Sequence, residues 1–189
     1  MKNKFKNNEK GFALPLALLL LVVMTIMGVT LVSITSKDHK ANTNKDISQQ
    51  AFYAAESGIN QAKKYLVDTK TLTPQNNPNS KSRFCKTSFF PNLNQSTVKA
   101  INTYVGKNNL SELISAPGEE GTRLSKYSFE YFITYTPDSN GNTSSMRYKA
   151  GTKNTYFTIH SCGCNERKDK CTAQSNIIVP LEAVVTLIK

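Results

Sequence analysis

His160, Cys162, Cys164 and Cys171 fall within the twelve-residue run HSCGCNERKDKC, and Cys85 is the only other cysteine of the 189-residue chain. Two chemistries use such a set. Thiolates and an imidazole at short spacing hold zinc, whereas thiols in an oxidising compartment close disulfides. The spacings here are Cys-x-Cys and Cys-x6-Cys, not the pairs usual in zinc sites. Between the last two cysteines lie Arg167, Lys168 and Lys170, opposed by Glu166 and Asp169. That makes a basic loop able to touch DNA, a host surface or another protein. No aromatic is interleaved to stack on bases, and a solvated hairpin tip is the plainer reading. The net charge of +11 favours anionic partners in general, but the lysines are scattered rather than gathered in a block. No Gly-rich phosphate loop, HExxH or GxSxG occurs. His39 and His160 are the only histidines, and neither has a recognisable partner in sequence. No catalytic residue, cofactor or metal is therefore expected, and the chain does not read as an enzyme.

What these side chains can do depends on which elements hold them and on which side of a membrane they lie. Residues 12–32 read FALPLALLLLVVMTIMGVTLV, 21 residues without a charge. As a helix rising 1.5 Å per residue, this run covers roughly 30 Å, the hydrocarbon thickness of a bilayer. It is too long for a cleaved signal peptide, and Ser33–Lys37 makes a poor cleavage site for one. Lys2, Lys4, Lys6 and Lys10 precede the run, which argues for a cytoplasmic N-terminus; Lys37, Lys40 and Lys45 beyond it weaken that bias. With that orientation the cysteines sit in an oxidising space and disulfides are preferred over metal. A Cys162–Cys164 bridge would close a very small ring, so Cys85 is expected to pair with one of these two and Cys171 with the other.

After the span, Phe52, Ala55, Ile59, Ala62 and Leu66 are spaced 3, 4, 3 and 4, the period of an amphipathic helix with one apolar face. Pro15 lies in the first turn, where it is tolerated, and no other proline intervenes. The reading is one helix of about 55 residues, its first half in lipid and its second packed on a soluble head.

The basic leader ending in Lys10-Gly11-Phe12, the immediate apolar helix and the stretch QQAFYAAESGINQAKKYL together resemble the PilX class of type IV pilus minor pilins. The resemblance covers residues 1 to about 66. It implies that a prepilin peptidase cuts between Gly11 and Phe12 and methylates the amine of Phe12. It also implies an anchor in the inner membrane, a periplasmic head that passes into the pilus, and other minor and major pilins as partners. Most pilins carry a Glu at the fifth mature position, thought to pair with the terminal amine of a neighbouring subunit. Counting from Phe12, that position is Leu16, and the first carboxylate is Asp38. A subunit without this Glu is poorly suited to join an existing fibre but can start one, so a tip or priming position is expected. The readings that compete are a pilus-associated DNA-binding or adhesive subunit, a type II secretion pseudopilin, and a signal-anchored periplasmic protein that never polymerises.

The organisation expected is a leader at 1–11, a transmembrane half-helix at 12–32, an amphipathic half at 33–66 and a head at 67–189. Within the head, Thr73–Ser82 is a loop by composition. Residues 97–115 are expected to hold a short helix, with Val98, Ile101, Val105, Leu110, Leu113 and Ile114 as core and Pro117-Gly118 ending it. Strands are expected at Ser128–Thr136, Ser145–Lys149, Thr155–Ser161 and Ile177–Ile188, with a turn at PDSNGN. Pro180 places part of the last strand at an edge. The fold class is α+β: a long N-terminal helix on a small antiparallel sheet, a pilin-like roll with meander order.

Overall fold

The computed structural model of the chain describes residues 13–69, 72–74, 76–115, 117–143, 154–167, 169–172 and 177–187. Helix α1 runs Ala13–Asp68. The chain divides into two units, Met1–Lys45 and Asp46–Lys189. In the first unit the described side chains, Leu14 onwards, are all exposed, the Leu, Val, Ile and Met side chains included. Water would not leave an apolar helix bare on every side, so this composition fits lipid or protein neighbours.

In the second unit the C-terminal part of α1 packs on a four-stranded antiparallel sheet in the order β1-β2-β3-β4, formed by β1 Asn102–Asn109, β2 Ser128–Tyr135, β3 Thr155–Cys164 and β4 Ile178–Leu187. Consecutive strands are neighbours, a meander. Short helices α2, Leu110–Ile114, and α3, Gly118–Leu124, connect β1 to β2. The expected strand at Ser145–Lys149 lies outside the described residues. Strand β4 is an edge, where Pro180 can lack its N–H without breaking a central ladder.

Two expectations fail. Residues 97–115 are not a helix: β1 occupies 102–109, only one short turn of helix follows, and Pro117-Gly118 opens α3 rather than closing a helix. Thr103, Tyr104 and Val105 lose rotamer freedom in a helix. Tyr104 gains stacking on Phe129 and Tyr131, with ring centroids 5.9 and 5.0 Å apart. Of the core residues expected there, Val98 and Leu110 are buried, but Leu113 is 41% exposed. The second failure is Phe52, read as part of the apolar face of α1 but 42% exposed. The buried face is rotated away from it, onto Ala51, Ala54, Ala55, Gly58, Ile59, Ala62 and Leu66.

The sheet has two covered faces. Phe129, Tyr131, Ile133 and Tyr135 of β2, with Phe157 and Ile159 of β3, meet α1. Phe132, Cys162 and Cys164 point the other way, into a second core with Phe84, Cys85, Phe90, Leu93, Val98, Ala100 and Cys171. All eight residues of β2 are therefore buried.

Candidate functional site

Helix α1 meets β3 through its smallest residues. Ala51, Ala54, Ala55 and Ala62 are fully buried. A Cβ on Gly163 would stand 1.9 Å from Ala51 O and 2.6 Å from Ala55 N, and one on Gly58 would stand 2.3 Å from Ser161 Oγ. Helix and strand backbones thus approach with no side chain between them. The Ser161 hydroxyl donates to Ala55 O at 2.7 Å inside this seam, satisfying a donor that burial would otherwise strand. The run AFYAAESG is a packing pattern in which Ala51, Ala54, Ala55 and Gly58 face inward. Phe52, Tyr53 and Glu56 are left outside.

The opposite face is built differently. Its cover is irregular chain, which cannot satisfy its own backbone as a helix does, so buried N–H groups there need acceptors. Glu130 supplies one. Its carboxylate is 1% exposed and accepts from the backbone N–H groups of Arg83, Phe84 and Cys85, with Oε2 at 3.0, 3.0 and 3.1 Å. Burial pushes its pKa up, while the three N–H groups and Lys86 pull it back. Glu130 is the register partner of Cys162, and Cys162 is bonded to Cys85. The covering loop is therefore fastened to the sheet twice at one level, once by sulfur and once by a carboxylate.

Farther along the same face His160 is fully buried, its ring 4.7 Å from that of Phe90 and 4.8 Å from that of Phe132. Its Nε2 lies 3.2 Å from Thr134 Oγ1, and its Nδ1 lies 3.0 Å from Oε1 of Glu182, its register partner on β4. The second contact is at ion-pair distance but off the line of a ring N–H hydrogen bond. Burial pushes the His160 pKa down, against the pull of Glu182. The imidazole beside Glu182 holds that carboxyl below its usual value. The order hydroxyl, imidazole, carboxylate has the form of a nucleophile relay, but Thr134 is itself fully buried, so no substrate reaches its oxygen. The string is a brace joining β2, β3 and β4.

Residues 10–60 match the family described as PilX N-terminal. Over this segment the chain is similar to the PilX class of type IV pilus minor pilins. Neither a curated protein nor a solved structure matches it.

Pilins of this class are structural components of a pilus and act through contacts with other pilins, and the apolar first half of α1 fits the membrane anchor of such a subunit. All four cysteines of the chain are in disulfides, Cys85–Cys162 and Cys164–Cys171. The sulfurs are thus unavailable as thiolate ligands to a metal. The second bridge closes the basic loop. Arg167 and Lys170 are exposed there, while Asp169 pairs with Arg83 at 2.7 Å across to the covering segment. Lys168, Gly11 and Phe12 lie outside the described residues. Sequence reading missed Glu130, Ser161, Gly163 and the His160–Glu182 pair. The available signal was Glu130 itself, a lone charge inside the strand run SFEYFITYT, which alternation assigns to solvent.

Proposed function

We propose that this pilin takes part in pilus assembly from a tip or priming complex. The observation that carries the reading is the absence of any charged residue from Ala13 to Ser36, with Leu16 where most pilins have a Glu. A carboxylate within hydrocarbon costs several kcal/mol and persists where it is paired, so its loss removes one bond between a joining subunit and its predecessor. A first subunit has no predecessor and needs no such bond. In this reading the peptidase cleaves between Gly11 and Phe12, Phe12 is N-methylated, the N-terminus is cytoplasmic and the head periplasmic before incorporation. The amine of Phe12 stays available to the Glu of the next subunit. Intact mass of the full chain from membranes, with and without the peptidase, tests the processing. Immunogold labelling tests position: label confined to pilus ends is expected, and uniform label along the shaft sinks the tip reading. Leu16→Glu is expected to move label into the shaft.

A further inference from the structure

The last turn of α1, the chain that follows it and the entry to β1 enclose a small hollow of about 220 Å³. Tyr65 comes from α1, Thr73, Asn76 and Lys81 from the following chain, and Asn102 and Thr103 from β1. The walls are fixed by contacts that leave these side chains free. Ala100 N–H donates to Asn76 O and Ile101 N–H to Ile133 O, both at 2.7 Å. The Tyr135 hydroxyl donates to Leu72 O at 2.7 Å, which ties the chain just before Thr73 to the sheet. Lys81 closes a turn through its N–H to Pro78 O at 3.1 Å, and Asn79 of that turn is held by two hydrogen bonds with Thr87, at 2.8 and 2.9 Å. The hollow is therefore formed in advance, so little ordering would have to be offset by a ligand.

Among the described residues, the side chains of Tyr65, Thr73, Asn76, Lys81, Asn102 and Thr103 make no hydrogen bond or ion pair with the rest of the chain. Nearby asparagines behave otherwise: Asn77, Asn79 and Asn94 each use the side-chain oxygen to accept a backbone N–H. The unspent groups converge on one hollow and define what fits it. Hydroxyls and carboxamides both donate and accept, and the charged group among them is a lysine. An apolar ligand would strand them all. Phosphates and nucleic-acid backbones call for clustered cations or an arginine fork, and this wall has neither. At about 30 Å³ per water the hollow holds about seven waters, the scale of one sugar ring rather than of a chain of them.

We propose that this hollow binds a sugar acid, a pyranose ring bearing one carboxylate. Lys81 takes the carboxylate, and the hydroxyls and carboxamides around it take the ring hydroxyls. The inference depends neither on the family resemblance nor on the tip position. The full chain, ¹⁵N-labelled in a detergent without sugar headgroups, is titrated with glucuronate. Amide shifts are expected at Asn76, Lys81, Asn102 and Thr103, at a millimolar dissociation constant, the scale for a ligand of this size. Glucose, which lacks the carboxylate, is expected to bind about tenfold more weakly. Lys81→Gln is expected to weaken glucuronate about tenfold and to leave glucose unchanged. Lys126→Gln, the same charge loss at an exposed lysine outside the hollow, is expected to change neither. Amide positions unchanged elsewhere show that the variants are folded. Binding of free glucuronate alone supports a free sugar as ligand, and equal binding of its methyl glycoside supports the end of a saccharide chain; either upholds the site. No shift at these amides with tens of millimolar glucuronate overturns it. So does inorganic phosphate binding as tightly as glucuronate, or an equal loss in Lys126→Gln, since either would leave only a general charge effect.

Discussion

The two faces of the sheet solve the same problem with different materials. The face toward α1 is covered by a regular element that satisfies its own backbone hydrogen bonds, so shape alone suffices: small residues on the helix, aromatics on the strands and glycine at the closest approach. The face toward residues 76–100 is covered by irregular chain, whose polar backbone must find partners and whose entropy must be held down. There the structure uses the Cys85–Cys162 bridge, the Glu130 carboxylate and the His160 brace. One face is packed and the other is fastened.

The largest effect should come from cutting the fastening. Cys85→Ala with Cys162→Ala removes a cross-link between residues 77 apart, which is expected to cost about 4 kcal/mol from the freed unfolded chain. Denaturant unfolding of the full chain in detergent measures it. A loss no greater than that from removing the Cys164–Cys171 bridge, whose residues are only 7 apart, would break the contrast. On the packed face, Gly163→Val forces the α1 backbone off β3 and is expected to cost about 3 kcal/mol, with a lowered Tm. An unchanged Tm there would mean that the seam yields.

Glu130→Ala leaves the buried N–H groups of Phe84 and Cys85, and the part-buried one of Arg83, without this acceptor and is expected to cost about 2 kcal/mol. Faster hydrogen exchange at Arg83, Phe84 and Cys85 locates the damage, and exchange unchanged at those amides would remove Glu130 from the account. The smallest effect is pH dependence. The His160 pKa is depressed by burial below its ordinary 6.5, so the unfolded chain binds the proton first. Stability is flat above that value and falls as pH drops below it, by at most about 1.4 kcal/mol per unit, until the folded ring also protonates. Glu182, also lowered, acts in the same direction at lower pH: its contribution is present above 4.5 and is lost as pH falls through its folded value. Glu130, raised, runs the opposite way, full below 4.5 and lost as pH rises through its folded value. Thermal scans from pH 7.5 to about 5 should show a shallower acid slope for His160→Gln than for the native chain. Equal slopes would remove His160 as the acid-sensitive part of the fastened face.

Much of the packed face was legible. The 3–4 spacing of Ala55, Ile59, Ala62 and Leu66 finds the inward side of α1, and the alternation of β2 and β4 finds their helix-facing residues. Phe52 was misplaced because periodicity ranks a large aromatic above alanine for burial, whereas the close approach at Gly163 admits only alanine. The fastened face was nearly illegible. Glu130 and His160 occupy positions that alternation gives to solvent, and residues 76–100 carry no period that announces them as a cover.

The sequence by itself determined the uncharged apolar run of α1, the amphipathic helix, the strands that begin near Ser128, Thr155 and Ile177 and the restricted set of disulfide pairings, because each follows from local spacing and composition. Only the tertiary structure decided which cysteines join, that β1 replaces a helix, that a glutamate is buried under three amides and that two aromatics are left outside. Those outcomes depend on what lies across the sheet or across the helix, and contacts between residues tens of positions apart leave no period in the chain.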